Sequence, residues 1–373
     1  MNNIAKIIFS ICLLIVLNGS SQAQEVINLD LENNLDNKDV FRIEQIADIL
    51  DIVPLETKKE CLLGDLEKVI KVENSFLVLG SERKLFVFDK NGKFVRQIGK
   101  QGRGPEEYLY LSDFTYSKSE RLIYVNSVGE ILKYTIDGKF VEKCKLPNSF
   151  FQVSTITDNA KLAFISPVSP QNKAGKEYDL VSIYSSQIKE EKVFKTKNTK
   201  QVGCAMFSWI YSKGNNIYFK DEFSNDVFLL NNELEKKTIF NLGLNDLLFK
   251  PEVFNMSKQS EWGKYYRMKG MMDFNNYCLI RLQHGLMGQD YVPVIYDKLN
   301  KSVILPSSKD GKRGIWWSGV CLQPINDSKE SLILSIATED LLENDDLSDN
   351  RLKKLASTID EEANPVLVLA RFK

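Results

Sequence analysis

The stretch 99–108, Gly-Lys-Gln-Gly-Arg-Gly-Pro-Glu-Glu-Tyr, has the glycine spacing that lets a backbone approach a phosphate. Such a cradle works when a helix follows and aims its free N–H groups at the anion. No helical periodicity follows here and no Lys-Ser/Thr pair ends the loop, so neither a dinucleotide site nor a P-loop is expected. The stretch reads instead as a crossing between strands, with Tyr108 wedged into the core. Arg103 and Glu107, with Tyr108, remain candidates to line one mouth of a channel.

The chain has one histidine, His284, in Leu282-Gln283-His284-Gly285. A Ser-His-Asp relay would have to run through it, yet no Gly-x-Ser-x-Gly elbow accompanies it. No catalytic residue is predicted, and His284 is kept as a candidate ligand contact. Asp113, Asn126, Asp221, Glu222 and Asp273 could offer oxygens to calcium, a hard cation. Short acidic residues are also ordinary turn formers, and the acidic run 340–350 lacks the order of a calcium loop. No cofactor is therefore expected, and calcium has no motif behind it. The aromatics Trp209, Tyr211, Trp262, Tyr265, Tyr266, Trp316 and Trp317 come from three regions. Gathered at one mouth they would stack on a sugar or peptide; packed beneath an insertion they would be core, which is the favoured expectation.

These residues must be positioned by short strands. Leu85–Asp89 and Phe94–Ile98 alternate around Asn91-Gly92, and the same hairpin returns at Ile131–Cys144, its Gly138 lying 46 residues after Gly92. That interval is the period of propeller blades. Four sets of β runs follow this period between Leu66 and Asn241, and further runs at 276–306, 314–320, 332–337 and 366–372 supply a fifth and sixth. Mixed spacing of three and four over 244–272 predicts a helical insertion. A second is predicted over 338–363, with Thr338 as its cap and Asn364-Pro365 as its stop. Pro54 confines the apolar segment before it to a sheet edge, which suits a strand that closes the ring with the C-terminal blade. The expected class is all-β, a six-bladed propeller over 41–373 after a flexible lead-in at 24–40.

Lys6, the eleven-residue apolar run 7–17 and small residues Ser21 and Ala23 predict a signal peptide, 1–23, cleaved after Ala23. The run is too short to span a membrane, and Cys12 sits inside it rather than after it, so a lipoprotein is not expected. A periplasmic or cell-envelope location follows. With Cys12 removed, five cysteines remain at wide spacings, which suit neither a zinc site nor a full disulfide framework. A formal charge of −1 with interleaved Lys and acids gives no field for nucleic acid.

Several segments together make a resemblance. Val53-Pro54-Leu55-Glu56-Thr57, the 99–108 connector, Asp137-Gly138-Lys139-Phe140, Ile295-Tyr296-Asp297-Lys298, Asp310-Gly311 and Asn364-Pro365-Val366-Leu367-Val368-Leu369 occur in one order along nearly the whole mature chain. In this the chain resembles the six-bladed β-propeller family of exported Bacteroides-type bacterial proteins, distantly NHL-repeat-like. It departs at Glu106, where the family usually has glycine, and in lacking a lipid-accepting cysteine. The resemblance implies a fold and a location, since most members have no assigned activity. The function expected is non-enzymatic recognition of a protein, peptide or glycan at one channel mouth, through Arg103, Glu107, Tyr108, Trp209, Trp262, Tyr266, His284, Trp316 and Trp317. The alternatives are a calcium-dependent, lactonase-like hydrolase or lyase using channel carboxylates, and a scaffold subunit of an envelope complex.

Overall fold

The computed structural model describes residues 25–35, 41–127, 129–150, 152–156, 161–197, 202, 208–253, 256–285, 291–306, 308–309, 312–325 and 332–373. The predicted signal peptide, Cys204 and the Asp310-Gly311 turn lie outside them. Six sheets of four or five strands form the blades of a propeller. Each blade has an inner strand, and those of blades two to five pack on one another in turn. These inner strands are Leu66–Val72, Asp113–Ser117, Gln152–Ile156, Trp209–Lys213, Tyr266–Asp273 and Val320–Pro324. From each, the chain meanders outward through antiparallel neighbours. The two middle strands of a blade read as unbroken apolar runs, such as Phe76–Leu79 and Leu85–Phe88, because both of their faces are buried between blades.

Outer hairpins turn through left-handed residues at equivalent places: Gly92, Gly138, Ile188, Leu234 and Lys301. The ring closes as expected, with Ala47–Pro54 pairing antiparallel to Val366–Phe372 as the outermost strand of blade six. Asn364 clasps the junction. Its side chain accepts from Leu63 N (3.0 Å) and donates to the carbonyls of Glu56 (2.8 Å) and Cys61 (2.9 Å).

Three expectations need correction. The segment 24–40 is not a free lead-in over its described part: Ile27–Asn28 adds a parallel strand to the outer edge of blade four, and Leu29, Leu31 and Leu35 are buried. The described residues of this strap pack between blades four and five at Leu29, Leu31 and Leu35, and between blades five and six at Phe41, Ile43 and Ile46. The first insertion is not a helix over 244–272. It holds 3-10 turns at Asn245–Leu247, Pro251–Val253 and Met256–Lys264, and Tyr266–Asp273 is the inner strand of blade five. A bulge between Met268 and Gly270 breaks the period of two there and imitates helical spacing. The second insertion is two short helices, Thr338–Leu342 and Asn350–Ala356. Thr338 does not cap; its hydroxyl donates to Ala363 O (2.9 Å), and Asp349 caps the second helix.

Candidate functional site

The glycine-rich connector is closed on itself. The Glu107 carboxylate accepts from Gly104 N (2.8 Å) and pairs with Lys100 (3.1 Å), which holds its pKa below the usual range. A side chain on Gly102 would overlap that carboxylate. Lys143 of the outer strand and Tyr134 of the third strand of blade two bind the connector's carbonyls. It therefore lies on the flank of blade two. Arg103 is exposed there and Tyr108 is buried, so the connector residues do not line the channel, because blade two's outer strands hold them.

The aromatic set does not form an exposed mouth cluster. Trp262, Trp316 and Trp317 are 6%, 7% and 5% exposed, and Trp209 and Tyr266 are also buried. Trp262 donates to Val253 O (2.7 Å) and packs among blades three and four. Trp317 packs between blades five and six beneath Arg351. Tyr266 and His284, cross-strand partners in blade five, stack at 4.5 Å. They are core because insertion and strap segments cover the blades. Trp209 is the first residue of an inner strand, where it stacks on Tyr211 in the core between blades four and five.

The calcium candidates are held apart by cations and carbonyls. Asp113 takes Lys68 (3.1 Å), Asp273 takes Lys213 (3.1 Å) and Lys298, and Glu222 takes Arg267 (2.8 Å). Asp221 accepts from Thr196, and Asn126 donates to Phe150 O. Among the described residues no three His, Cys, Asp or Glu side chains gather as metal ligands.

What the fold does assemble is a set of hydrogen bonds that tie the inner parts of neighbouring blades together. Asp113 joins Lys68 of blade one to Val153 N of blade three (2.9 Å). Gln152 of blade three accepts from Ile210 N of blade four (3.3 Å). Arg281 of blade five donates to Pro324 O of blade six (2.8 Å), and Val69 N of blade one to Ile325 O (3.4 Å). Two of these inner strands carry bulges, and the extra residue in each is ionisable: Glu67 between Leu66 and Lys68, and Lys269 between Met268 and Gly270. A bulge re-aims its side chain. The charge of each of Glu67 and Lys269 acts on the other although blade six stands between their blades. Burial raises the Glu67 carboxyl above its usual range, with Arg83 (2.6 Å) opposing. Burial, with Arg267 beside it, lowers Lys269 to about 8. Arg281 lies over the ring of Tyr291 at 5.1 Å, and its Nε is buried without a hydrogen bond. An orphaned donor of that kind costs about 1–3 kcal/mol.

Sequence reading placed Trp209 and Glu222 among its candidates but passed over Glu67, Lys269, Arg267 and Arg281. The available signal was charge inside otherwise apolar strands, as in Leu66-Glu67-Lys68 and Arg267-Met268-Lys269-Gly270.

A family model described as a domain of unknown function, DUF4934, matches residues 26–371. The chain belongs to this family. The match begins at the strap rather than at blade one, in keeping with the strap's buried leucines. An exported protein of Bacteroides fragilis NCTC 9343, so described, superposes with a TM-score of 0.68 at 18% identity, over 94% of this chain and 100% of that one. A member of the DUF4221 family from Bacteroides vulgatus superposes at 0.54 and 9% identity, over 88% and 98%. Both likenesses concern the fold. No protein of curated function matches.

Proposed function

We propose that the protein is an exported, non-enzymatic binding propeller that takes a segment of a protein, peptide or glycan at the channel mouth where the inner strands begin. The observation that carries this reading is the pair of bulges on inner strands of non-adjacent blades whose extra residues, Glu67 and Lys269, are both ionisable. Lys269, largely withdrawn from water with no carboxylate at ion-pair distance among the described residues, is poor for stability and suited to a ligand. Export is supported by the apolar leader and by the likeness to the Bacteroides fragilis protein. Among the described residues no helix is long and apolar enough to cross a membrane. Peptide and glycan arrays probed with the mature chain test the reading. A discrete set of ligands should be retained by the wild type and lost by a cooperatively folding E67Q/K269Q variant. An empty result on both arrays, or retention unchanged by the substitutions, overturns it.

A further inference from the structure

The charges around this mouth do not balance. Lys68 is taken by Asp113, Arg83 by Glu67 and Arg267 by Glu222. Lys269 and Arg281 are left with no carboxylate at ion-pair distance among the described residues; Arg281 has only the Pro324 carbonyl and the Tyr291 ring. Beside them stands Gly270, paired across the sheet with Arg281. At the point where a Cβ on Gly270 would stand, two heavy atoms of the described residues, its chain neighbours aside, lie within 4 Å. They are Trp209 Nε1 at 3.7 Å and Arg281 Nε at 4.0 Å, and the latter is the orphaned donor. Without a side chain at this position, the two N–H groups are the nearest side-chain neighbours of this face of the backbone.

Resting on the reading of this mouth as a binding site, we propose that it receives an oxyanion group of the ligand, a carboxylate or a phosphate, over Gly270. The Nε–H of Arg281 and the indole N–H of Trp209 donate to its oxygens, and the ammonium of Lys269 balances its charge. Charge-assisted bonds from fixed donors are the strong ones. The indole contributes direction without charge, and Glu67 on the opposite side turns away a second anion. Recognition thus extends to one anionic group and no further along the channel on the Glu67 side.

Calorimetric titration at pH 7 in a low-salt buffer free of phosphate tests this, with inorganic phosphate in one arm and succinate in the other. At least one anion should bind saturably, and more weakly as sodium chloride rises. Binding of phosphate alone assigns a phosphoryl group, and binding of succinate alone a carboxylate. Lys269→Met should weaken binding about tenfold or more, and Trp209→Phe, which keeps the ring and removes the donor, by several-fold. Wild-type affinity in either folded variant overturns the proposal, as does the absence of saturable binding by both anions. Array ligands that neither anion displaces would overturn it while leaving the binding reading intact. Anion binding with empty arrays would do the reverse.

Discussion

At the scale of single residues, Lys269 is the most exacting position. It meets Arg267 on its own strand, Arg281 from the next strand, Glu222 from blade four and Glu67 across the channel. Its folded pKa, about 8, lies below that of a lysine in the unfolded chain. Between those two values the unfolded chain binds the proton more tightly, so this residue makes stability rise with pH across that window. Below pH 8 its charge is a standing cost. Lys269→Met should therefore stabilise the ligand-free protein at pH 7 by on the order of 1–3 kcal/mol, an advantage that fades as pH climbs from 8 to 10. Urea denaturation at both ends of that range measures it; equal effects at the two ends would mean the lysine acts by packing. Lys220 is also pushed down to about 8 but binds the carbonyls of Asp221 and Glu222, so it contributes the same background in both proteins.

Among the elements, the outer hairpins look interchangeable and are not. Gly92 and Gly138 both have positive φ, at 82° and 80°. Around Gly138 a Cβ would find ordinary room, with Arg96 Cδ nearest at 3.4 Å, whereas on Gly92 it would overlap the Pro54 carbonyl of the ring-closing strand. Gly138→Ala should cost about 1–2 kcal/mol, the strain of left-handed backbone. Gly92→Ala should cost clearly more, and thermal unfolding should rank the two that way. Equal losses would show that the closing strand yields. This hairpin was plain in the sequence because alternation and an Asn-Gly turn are local signals. Blade five's inner strand was not, because its bulge spoils alternation just where Lys269 is re-aimed. Glu67, Lys269 and Arg281 escaped for a different reason: strands of separate blades bring them together, and no spacing along the chain records it. The buried tryptophans were legible as apolar mass but not as to which cover would lie over them, since strap and insertion packing is tertiary.

For the whole molecule, integrity depends on the clasp at Asn364. Three side-chain hydrogen bonds reach across it to residues 56–63, some 300 positions away in the chain. Asn364→Ala leaves the Leu63 N–H and the Cys61 carbonyl unanswered in a buried place, and the Glu56 carbonyl with only the Cys61 thiol. The expected loss is about 2–4 kcal/mol, seen as a lower urea midpoint at unchanged slope. A loss under about 0.5 kcal/mol would mean that strand pairing alone holds the ring. The strand Ala47–Pro54, made early, has its partner among the last residues of the chain. Such a pairing carries a large loop-closure entropy, and it cannot form until Val366–Phe372 has been made. Blades can condense one after another from local hairpins, but until the final strand arrives the sixth lacks its third member. Residues 47–54 have no sheet to join before then. The arrangement makes the finished ring the last product of folding, and it keeps a growing chain open on one side for as long as its closing partner is missing.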